Sequence, residues 1–288
     1  MRRNPVPRAS VPERMTNQRV ADGSGQGASD QVLKATGIVK SFGTAGGQVT
    51  VVNDVAFSVP RGKLVTIMGP SGSGKSTLLH MVSGLEPPTS GEVELAGQDL
   101  YGLSERKRTL LRRDTIGFVF QFYNLIPNLT VAENIRLPLM IGAGAKVGAA
   151  AGSESGTGSG SGVDPLDELV RQFGLEDKLA SYPHQLSGGE MQRTSIARAL
   201  IAEPTIVMAD EPTGNISTSA GEEVMQHFRR SCDERGQTIL LVTHNPRDAA
   251  FSDEVHFLKD GVLHEEHRLE GDAVTPENIA QSLFSLGI

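Results

Sequence analysis

Short apolar runs alternate with helical patterns along most of the chain. Continuous apolar runs lie at residues 64–68, 206–209 and 239–242, and each ends at small or polar residues before a helical pattern begins. Short runs of this kind are typical of strands that are buried on both faces of a parallel sheet. The alternation of strand, loop and helix therefore predicts an α/β layered fold with helical crossovers.

Two other regions have the character of antiparallel strands. Residues 32–40 and 49–59 are rich in β-branched residues and flank a glycine-rich turn at 43–47, which predicts a strand pair. Near the C-terminus, Asp260-Gly261 lies between two apolar segments and favours a tight hairpin turn. We therefore expect two antiparallel strand pairs in addition to the layered core.

A third region shows helical patterns only. Residues 122–187 have such patterns at 131–141 and 167–173, so we expect a helical subdomain inserted into the core. Within it, residues 142–162 are almost all Gly, Ala or Ser. Such a segment buries too little apolar surface to order itself, which predicts a flexible surface insertion.

Composition divides the chain into three parts. Residues 1–30 are rich in Pro, Arg, Gly and Ser without periodicity, which predicts a disordered tail. Residues 31–270 carry the strand and helix patterns and are expected to form the main domain. Residues 271–288 are expected to form a C-terminal helical extension.

Charge and composition exclude several classes of protein. The 288 residues include 27 Lys and Arg against 34 Asp and Glu, and the net charge of −7 argues against a dedicated nucleic-acid binder. No stretch approaches the roughly 18 to 20 apolar residues that a membrane-spanning helix needs. Cys232 is the only cysteine, which excludes an internal disulfide and a cysteine-based metal site.

A glycine-rich segment follows the apolar run 64–68 and opens a helical pattern. It matches the phosphate-loop pattern G-x-x-x-x-G-K-[S/T], whose glycines let backbone N–H groups face a phosphate at a helix start. Lys75 would reach the β- and γ-phosphates of the nucleotide, and the Ser76 hydroxyl would bind Mg²⁺. The residues expected to bind the nucleotide here are Gly69, Pro70, Ser71, Gly72, Ser73, Gly74, Lys75, Ser76 and Thr77.

Two acidic residues, Asp210 and Glu211, follow the apolar run 206–209. An acidic pair at a strand end is common, but in a chain with a phosphate loop it acquires a specific meaning. Asp210 would hold the Mg²⁺ shell, and Glu211 would polarise the attacking water as a general base. Together with Lys75, which would act on the phosphates, the pair predicts a site that hydrolyses a bound nucleoside triphosphate.

A second anion-binding pattern lies more than a hundred residues beyond the first. The segment Ser187-Gly188-Gly189-Glu190 precedes a stretch with helical spacing, so its backbone N–H groups would face an anion at a helix start. One chain thus carries two phosphate-binding ends. The segment resembles the signature sequence of ATP-binding cassette (ABC) ATPases, which binds the ATP held by a partner subunit.

The resemblance to ABC ATPases covers nearly all of residues 31–266. It implies an ABC-type P-loop nucleotide-binding domain, with a RecA-like core, an antiparallel β subdomain and an inserted helical subdomain. Gln121 matches the family glutamine that contacts Mg²⁺ and reports to the transport domain. His244 matches the switch histidine that contacts the γ-phosphate, and Phe42 matches the aromatic residue that stacks on adenine.

Residues 116–135 and 210–215 are similar to the lipoprotein-release and macrolide-export (LolD/MacB-like) group. In that group the cassette usually docks on a separate permease with few membrane spans, of the FtsX/MacB type. The resemblance implies a peripheral ATPase subunit at the cytoplasmic face of the cell membrane, which closes as a homodimer on two Mg-ATP and moves that permease. Two alternatives stay open: an ABC ATPase that drives a non-transport envelope or cell-division complex, and an ATP-dependent clamp with weak hydrolysis.

One position departs from the family pattern. The family continues Gly214-Asn215 with Leu-Asp, whereas this chain has Ile216-Ser217. The missing aspartate belongs to the D-loop, which crosses the dimer interface beside the hydrolytic site. We expect ATP binding to be preserved and turnover to be modest, unless Thr218 or a neighbouring group replaces the carboxylate.

Overall fold

The computed structural model describes residues 30–44, 47–146 and 164–288. The strands in these residues are β1 (Gln31–Thr44), β2 (Gly47–Pro60), β3 (Leu64–Met68), β4 (Ser90–Leu95), β5 (Gln98–Asp99), β6 (Ile116–Val119), β7 (Ile206–Asp210), β8 (Thr238–Thr243), β9 (Glu254–Lys259), β10 (Val262–Leu263) and β11 (Leu269–Glu270). The helices are α1 (Lys75–Val82), α2 (Glu105–Thr115), α3 (Val131–Lys146), α4 (Pro165–Gln172), α5 (Gly188–Leu200), α6 (Thr218–Arg235), α7 (Pro246–Ala249) and α8 (Pro276–Leu286).

The central sheet has the strand order β10-β9-β3-β8-β7-β6, and β11 also pairs with β9. Strands β9, β3, β8, β7 and β6 run parallel to one another. All residues of β3 and β8 are buried, as expected for strands whose two faces are both covered. The parallel sheet predicted from the three continuous apolar runs is confirmed.

Alternate residues of a central strand serve two separate cores. Ile206 and Met208 of β7 pack in a cluster with residues of helix α1 and of the antiparallel strands. Val207 and Ala209 of the same strand pack in a second cluster with residues of α3 to α6. Because successive strand residues point to opposite faces, one apolar run fills both cores.

The second sheet is antiparallel, with the order β2-β1-β4-β5. Strands β1 and β2 pair along most of their length, as the sequence predicts. At the C-terminal hairpin, Lys259 of β9 lies opposite Val262 of β10. The turn residues Asp260 and Gly261 have positive φ values of 50° and 78°, the conformation that an Asp-Gly turn favours. Both predicted antiparallel features are confirmed.

Helices α3 and α4 lie within residues 122–187, where the sequence predicts helices only, and α5 follows this region before β7. The prediction is wrong at one point, because residues 142–146, expected to begin the flexible insertion, continue helix α3. Extending an existing helix adds a hydrogen bond for each residue ordered, and Ala and Lys are good helix formers. The rest of the insertion, and the tail up to residue 29, lie outside the described residues. Among the helices that are described, none has the length and apolar character needed to cross a membrane.

Candidate active site

The carboxyl ends of three central strands meet at one edge of the sheet. Met68, the last residue of β3, lies opposite Thr243, the last residue of β8, and Asp210 ends β7 beside them. Ligands of open α/β sheets bind in the crevice at this edge. The residues that follow the three strands are Gly69, His244 and Glu211.

The phosphate loop joins β3 to helix α1 and depends on glycine at two positions. A Cβ at Gly69 would lie 2.0 Å from the Leu258 carbonyl oxygen, and a Cβ at Gly74 would lie 2.7 Å from the Val51 carbonyl oxygen. Gly74 also has a φ of 101°, in the left-handed region that glycine tolerates. A side chain at either position would displace the loop from its neighbours.

The phosphate loop offers hydrogen-bond donors to a ligand. No side chain caps the N-terminus of α1, where the first N–H groups carry a partial positive charge. The Ser73 hydroxyl is buried and finds no hydrogen-bond partner among the described residues. Ser71 and Gly72 are exposed at the tip of the loop, and Thr77 is partly buried in the first turn of α1. This set of donors fits a phosphate group.

Lys75 places a buried positive charge between the loop and the acidic strand end. Its ammonium group donates hydrogen bonds to the carbonyl oxygens of Gly69 at 2.9 Å and Pro70 at 3.0 Å. It also lies 3.8 Å from the Glu211 carboxylate. Burial lowers the pKa of Lys75, while Glu211 and Asp210 oppose that change.

Ser76 and Asp210 form a pair of oxygen donors beside the loop. The Ser76 hydroxyl donates to Asp210 Oδ1 at 2.9 Å. Burial raises the pKa of Asp210, and the hydrogen bond from Ser76 opposes that rise. A hydroxyl and a carboxylate are hard oxygen ligands of the kind that Mg²⁺ prefers, so the two side chains fit the predicted Mg²⁺ site.

Glu211 and His244 form a close side-chain pair. The backbone of Glu211 has a φ of 48°, which is uncommon for a residue other than glycine. Its N–H donates to the Val242 carbonyl oxygen at 2.9 Å, which ties this conformation to strand β8. The carboxylate is 12% exposed, and its Oε2 lies 2.7 Å from His244 Nδ1. With Lys75 on its other side, Glu211 brings the three predicted catalytic residues into one cluster.

Gln121 lies at a junction of loops. Its backbone carbonyl oxygen accepts a hydrogen bond from the Asn215 side chain at 2.8 Å. The Tyr123 hydroxyl donates to the Asn215 carbonyl oxygen at 3.0 Å, and Arg198 donates to the Tyr123 carbonyl oxygen at 2.8 Å. In the described part of the chain, no hydrogen bond joins the Gln121 side chain to the two predicted Mg²⁺ ligands. The structure therefore links Gln121 to the D-loop.

The signature segment, residues 187–190, is held by its own hydrogen bonds at the start of helix α5. Glu190 Oε2 accepts hydrogen bonds from the Ser187 backbone N–H at 2.7 Å and from its hydroxyl at 2.9 Å. Lys178 Nζ lies 3.1 Å from the other oxygen of the Glu190 carboxylate. The Ser187 backbone hydrogen bond, assisted by Lys178, lowers the pKa of Glu190 against the effect of burial. Gly188 and Gly189 are the first two residues of the helix.

The two anion-binding segments stay apart within one chain. Over residues 30–44, 47–146 and 164–288, no hydrogen bond or ion pair joins the signature segment to the phosphate loop. Phe42 is 39% exposed on β1, and its ring is covered by the Lys40 ammonium at 5.0 Å. Its stacking on adenine stays a prediction.

Sequence reasoning missed three residues that shape the site: Asn215, Tyr123 and Arg198. Each acts through a hydrogen bond to a segment far away in the chain. Tyr123 and Asn215, for example, are 92 residues apart. No local pattern marks such contacts, because strand order decides which loops become neighbours. Tyr123 and Asn215 lie in the two segments that resemble the family, and that resemblance is the signal that could have found them.

Comparisons with known proteins agree with this geometry. The profile of a family described as ABC transporter matches residues 52–214. The chain is 40% identical over 233 residues to the lipoprotein-releasing system ATP-binding protein LolD of Cytophaga hutchinsonii, covering 81% of this chain and 99% of LolD. It is 39% identical over 230 residues to the macrolide export ATP-binding/permease protein MacB of Photorhabdus laumondii, covering 80% of this chain and 33% of MacB.

A solved structure shares the fold. It is described as the dimeric structure of a post-hydrolysis state of the ATP-binding cassette MJ0796 bound to ADP and Pi, a protein of Methanocaldococcus jannaschii. The match has a TM-score of 0.71 and 36% identity, and it covers 83% of this chain and 98% of that chain. The predicted fold class, an α/β nucleotide-binding domain with an antiparallel subdomain, is confirmed.

Proposed function

The chain belongs to the ABC transporter family as an ATP-binding subunit with ATPase activity, and we propose that two copies close head to tail on two ATP molecules to drive a membrane permease. The observation that carries this proposal is the separation of the two anion-binding segments within one chain. In a two-fold symmetric pair, the signature segment of each copy would meet the phosphate loop of the other. The MJ0796 cassette is dimeric in the presence of ADP and Pi.

In each composite site, the phosphate loop binds the triphosphate. Lys75 exchanges its two carbonyl hydrogen bonds for the β- and γ-phosphate oxygens, and the N–H groups at the start of α1 bind the same charge. Ser76 and Asp210 would hold Mg²⁺, which when bound neutralises negative charge on the β- and γ-phosphates. Phe42 would stack on the adenine ring, and Gln121 would complete the Mg²⁺ shell.

Glu211 is the general base of the proposed hydrolysis. Its carboxylate takes a proton from a water molecule whose oxygen forms a bond to the γ-phosphorus. The bond between the γ-phosphorus and the bridging oxygen breaks, and ADP and inorganic phosphate result. His244, which lies 2.7 Å from the carboxylate, orients it and contacts the γ-phosphate, while Lys75 stabilises the leaving oxygen.

A mixing experiment tests the head-to-tail arrangement. Lys75→Ala removes the charge on the phosphate loop, and Ser187→Arg blocks the signature segment, so each variant alone should be inactive. In a mixed dimer, one site carries both defects and the other carries neither. Equal amounts of the two variants should therefore recover about a quarter of the wild-type ATPase rate, if mixed dimers are half of the population and the sites act independently.

The outcome separates two arrangements of the site. If each site were complete within one chain, both variants would stay inactive after mixing. A mixture without activity would therefore contradict the proposal, once co-purification of two differently tagged variants shows that the dimers have exchanged. The matched control is each variant mixed with itself at the same total concentration.

The proposed permease contact is a groove of about 280 Å³ near Gln121. Leu85, Phe118 and Phe120 line part of it, and Phe122, the residue after Gln121, is 70% exposed. Exposed aromatic side chains beside an apolar groove are typical of protein contact sites. Because the Gln121 carbonyl oxygen accepts a hydrogen bond from Asn215, a permease segment in this groove could shift the loop that follows Glu211.

Residues 122–187 would act as the helical subdomain of a peripheral subunit at the cytoplasmic face of the membrane.

The permease contact can be tested with two matched phenylalanine variants. Phe122→Glu places a charge two residues after Phe120, which lines the groove, whereas Phe284→Glu places one on helix α8, where Phe284 is 85% exposed. We expect the first variant to reduce co-purification with the cognate FtsX/MacB-like permease at least about fivefold, and the second to leave it unchanged. Equal losses, or none, would contradict the assignment of this face.

A further inference from the structure

Asp248 is a buried carboxylate to which the mechanism above gives no part. It lies on helix α7 and is 3% exposed. Its Oδ2 accepts hydrogen bonds from the hydroxyls of Thr213 and Thr243, the latter at 3.2 Å, and its Oδ1 accepts one from the Asn245 side chain at 3.0 Å. In the described residues it forms no ion pair with Lys or Arg, so three neutral donors hold its charge.

These three donors flank the hydrolytic pair. Thr213 comes two residues after Glu211 in the chain, and Thr243 and Asn245 stand on either side of His244. The loop after β7 and the loop after β8 are in contact, since His244 Nδ1 lies 2.7 Å from Glu211 Oε2. The Glu211 N–H also donates a hydrogen bond to the carbonyl oxygen of Val242 in β8. A single carboxylate thus accepts hydrogen bonds from both loops that carry the reacting side chains.

We infer that Asp248 is a positioning residue that holds the His244 loop against the Glu211 loop, so that the histidine keeps the general base in register. This inference rests on the hydrolytic roles proposed for Glu211 and His244. Hydrogen bonds to a charged acceptor are roughly twice as strong as neutral ones, and burial strengthens them further. Since hydrolysis depends steeply on the direction of the attacking water, a small shift between the loops would slow the chemical step.

Capping of helix α7 does not account for these contacts. Asn245 is the N-cap residue of α7, and its side-chain oxygen accepts the Arg247 N–H at 3.1 Å. The hydrogen bonds from Thr213 and Thr243 come from outside the helix. A residue that only stabilised the fold would change the melting temperature and leave kcat alone, whereas a positioning residue changes kcat with little effect on ATP binding.

The test compares two carboxylates that the structure holds in different places. Asp248→Asn keeps the size of the side chain but turns an amide toward a hydrogen-bond donor. The matched control is Asp253→Asn, because Asp253 accepts the Leu64 N–H at 2.8 Å and pairs with Arg229 at the opposite end of β3. Phosphate release gives kcat, equilibrium titration gives the Kd for ATP, and thermal melting reports stability, all on the full chain.

Asp248→Asn should lower kcat about tenfold while the Kd for ATP stays within about twofold, a split that Asp253→Asn should not show. In a His244→Ala background, Asp248→Asn should cause no further loss, because the two residues act as a unit. If Asp248→Asn fails to fold, Thr213→Val removes one donor with little change in shape, and it should lower kcat about threefold.

The inference is overturned if Asp248→Asn keeps the wild-type kcat, or if its effect is undiminished when His244 is alanine. Failure of the proposed function would look different. His244→Ala alone would then hydrolyse ATP at the wild-type rate, whatever the behaviour of the Asp248 variant.

Discussion

The two anion-binding segments of this molecule, the phosphate loop and the signature segment, differ in the hydrogen-bond donors that they leave free. The phosphate loop leaves donors free, with no side-chain cap on α1 and an unpartnered Ser73 hydroxyl. In the signature segment, both groups that Ser187 can donate are already used, because Glu190 accepts its N–H and its hydroxyl. A phosphate at the phosphate loop can bind free donors, whereas a phosphate that approaches Ser187 must replace internal hydrogen bonds for little net gain.

This difference indicates an order of events. A single chain should bind ATP through the phosphate loop, since that end is ready for a ligand. The signature segment should engage only when dimer closure presents a phosphate that the partner already holds. The chain would thus avoid closing before both nucleotides are in place.

Removing the general base tests whether hydrolysis depends on the catalytic cluster beside the phosphate loop while both anion-binding segments stay intact. Glu211→Gln removes the proton acceptor and leaves both anion-binding ends intact, so hydrolysis should fall by about 10²-fold or more with ATP binding preserved. The ATP-bound dimer should accumulate, and size-exclusion chromatography should detect it. Glu234→Gln, an exposed change on α6, is the control. A monomer that hydrolyses ATP at the wild-type rate would contradict the role of Glu211.

The contact between helix α6 and the end of helix α4 should be sensitive to acid. His227 of α6 packs on Phe173 with ring centroids 4.6 Å apart, and burial, with help from Arg230 and Arg193, lowers the pKa of His227 to about 4. The unfolded chain takes up this proton near pH 6.5, but the folded chain does so only near pH 4. Stability is therefore full above pH 6.5 and falls as the pH drops toward 4, by about 2 kcal/mol at pH 5.

The variant His227→Phe keeps a ring against Phe173 and cannot titrate. Urea unfolding of both proteins between pH 7.5 and pH 5 should show a smaller decline for the variant, by about 2 kcal/mol. Equal declines would mean that His227 takes up its proton in the folded chain at the ordinary pH. The comparison cancels the other titrating groups, which the two proteins share.

The D-loop follows Glu211 and would cross the dimer interface. Ser217 is its residue that departs from the family pattern. The Ser217 hydroxyl caps helix α6 by accepting the Ala220 N–H at 3.4 Å. Aspartate caps equally well, so Ser217→Asp should fold normally and add a carboxylate at the dimer interface. We expect turnover to rise several-fold with ATP affinity unchanged. Ser217→Asn, which keeps a neutral helix cap, is the control. Equal turnover for all three forms with the permease present would show that Thr218 or a neighbouring group already replaces the carboxylate.

The smallest effect should come from the ion pair at the signature segment. Lys178→Gln leaves the Glu190 carboxylate without its countercharge, 3.1 Å away, so an approaching phosphate meets more repulsion. The KM for ATP should rise roughly two- to threefold with kcat nearly unchanged, the scale of an exposed ion pair. Lys63→Gln, which breaks the exposed pair with Asp253, should leave KM unchanged. The change in KM should disappear in a Glu190→Gln background.

The sequence by itself determined the segments that act locally. The phosphate loop, the acidic pair Asp210-Glu211 and the buried strand before each are contiguous, and their chemistry depends on spacings of a few residues. The backbone conformation at Gly74 can be predicted from the sequence, because glycine is the residue that tolerates a φ of 101°. The helix at residues 142–146 was missed because a composition rich in Gly and Ala leaves the end of a helix undefined.

Only the tertiary structure decided which segments meet. The pairing of His244 with Glu211 depends on the register between β7 and β8, and it joins residues 33 positions apart. Asp248 lies among three donors because α7 packs against α6 and β8, and nothing near Asp248 in the chain indicates that Thr213 is its neighbour. Such contacts follow from the order of strands in the sheet, which minimises the free energy of the whole core and leaves no trace in any short window of residues.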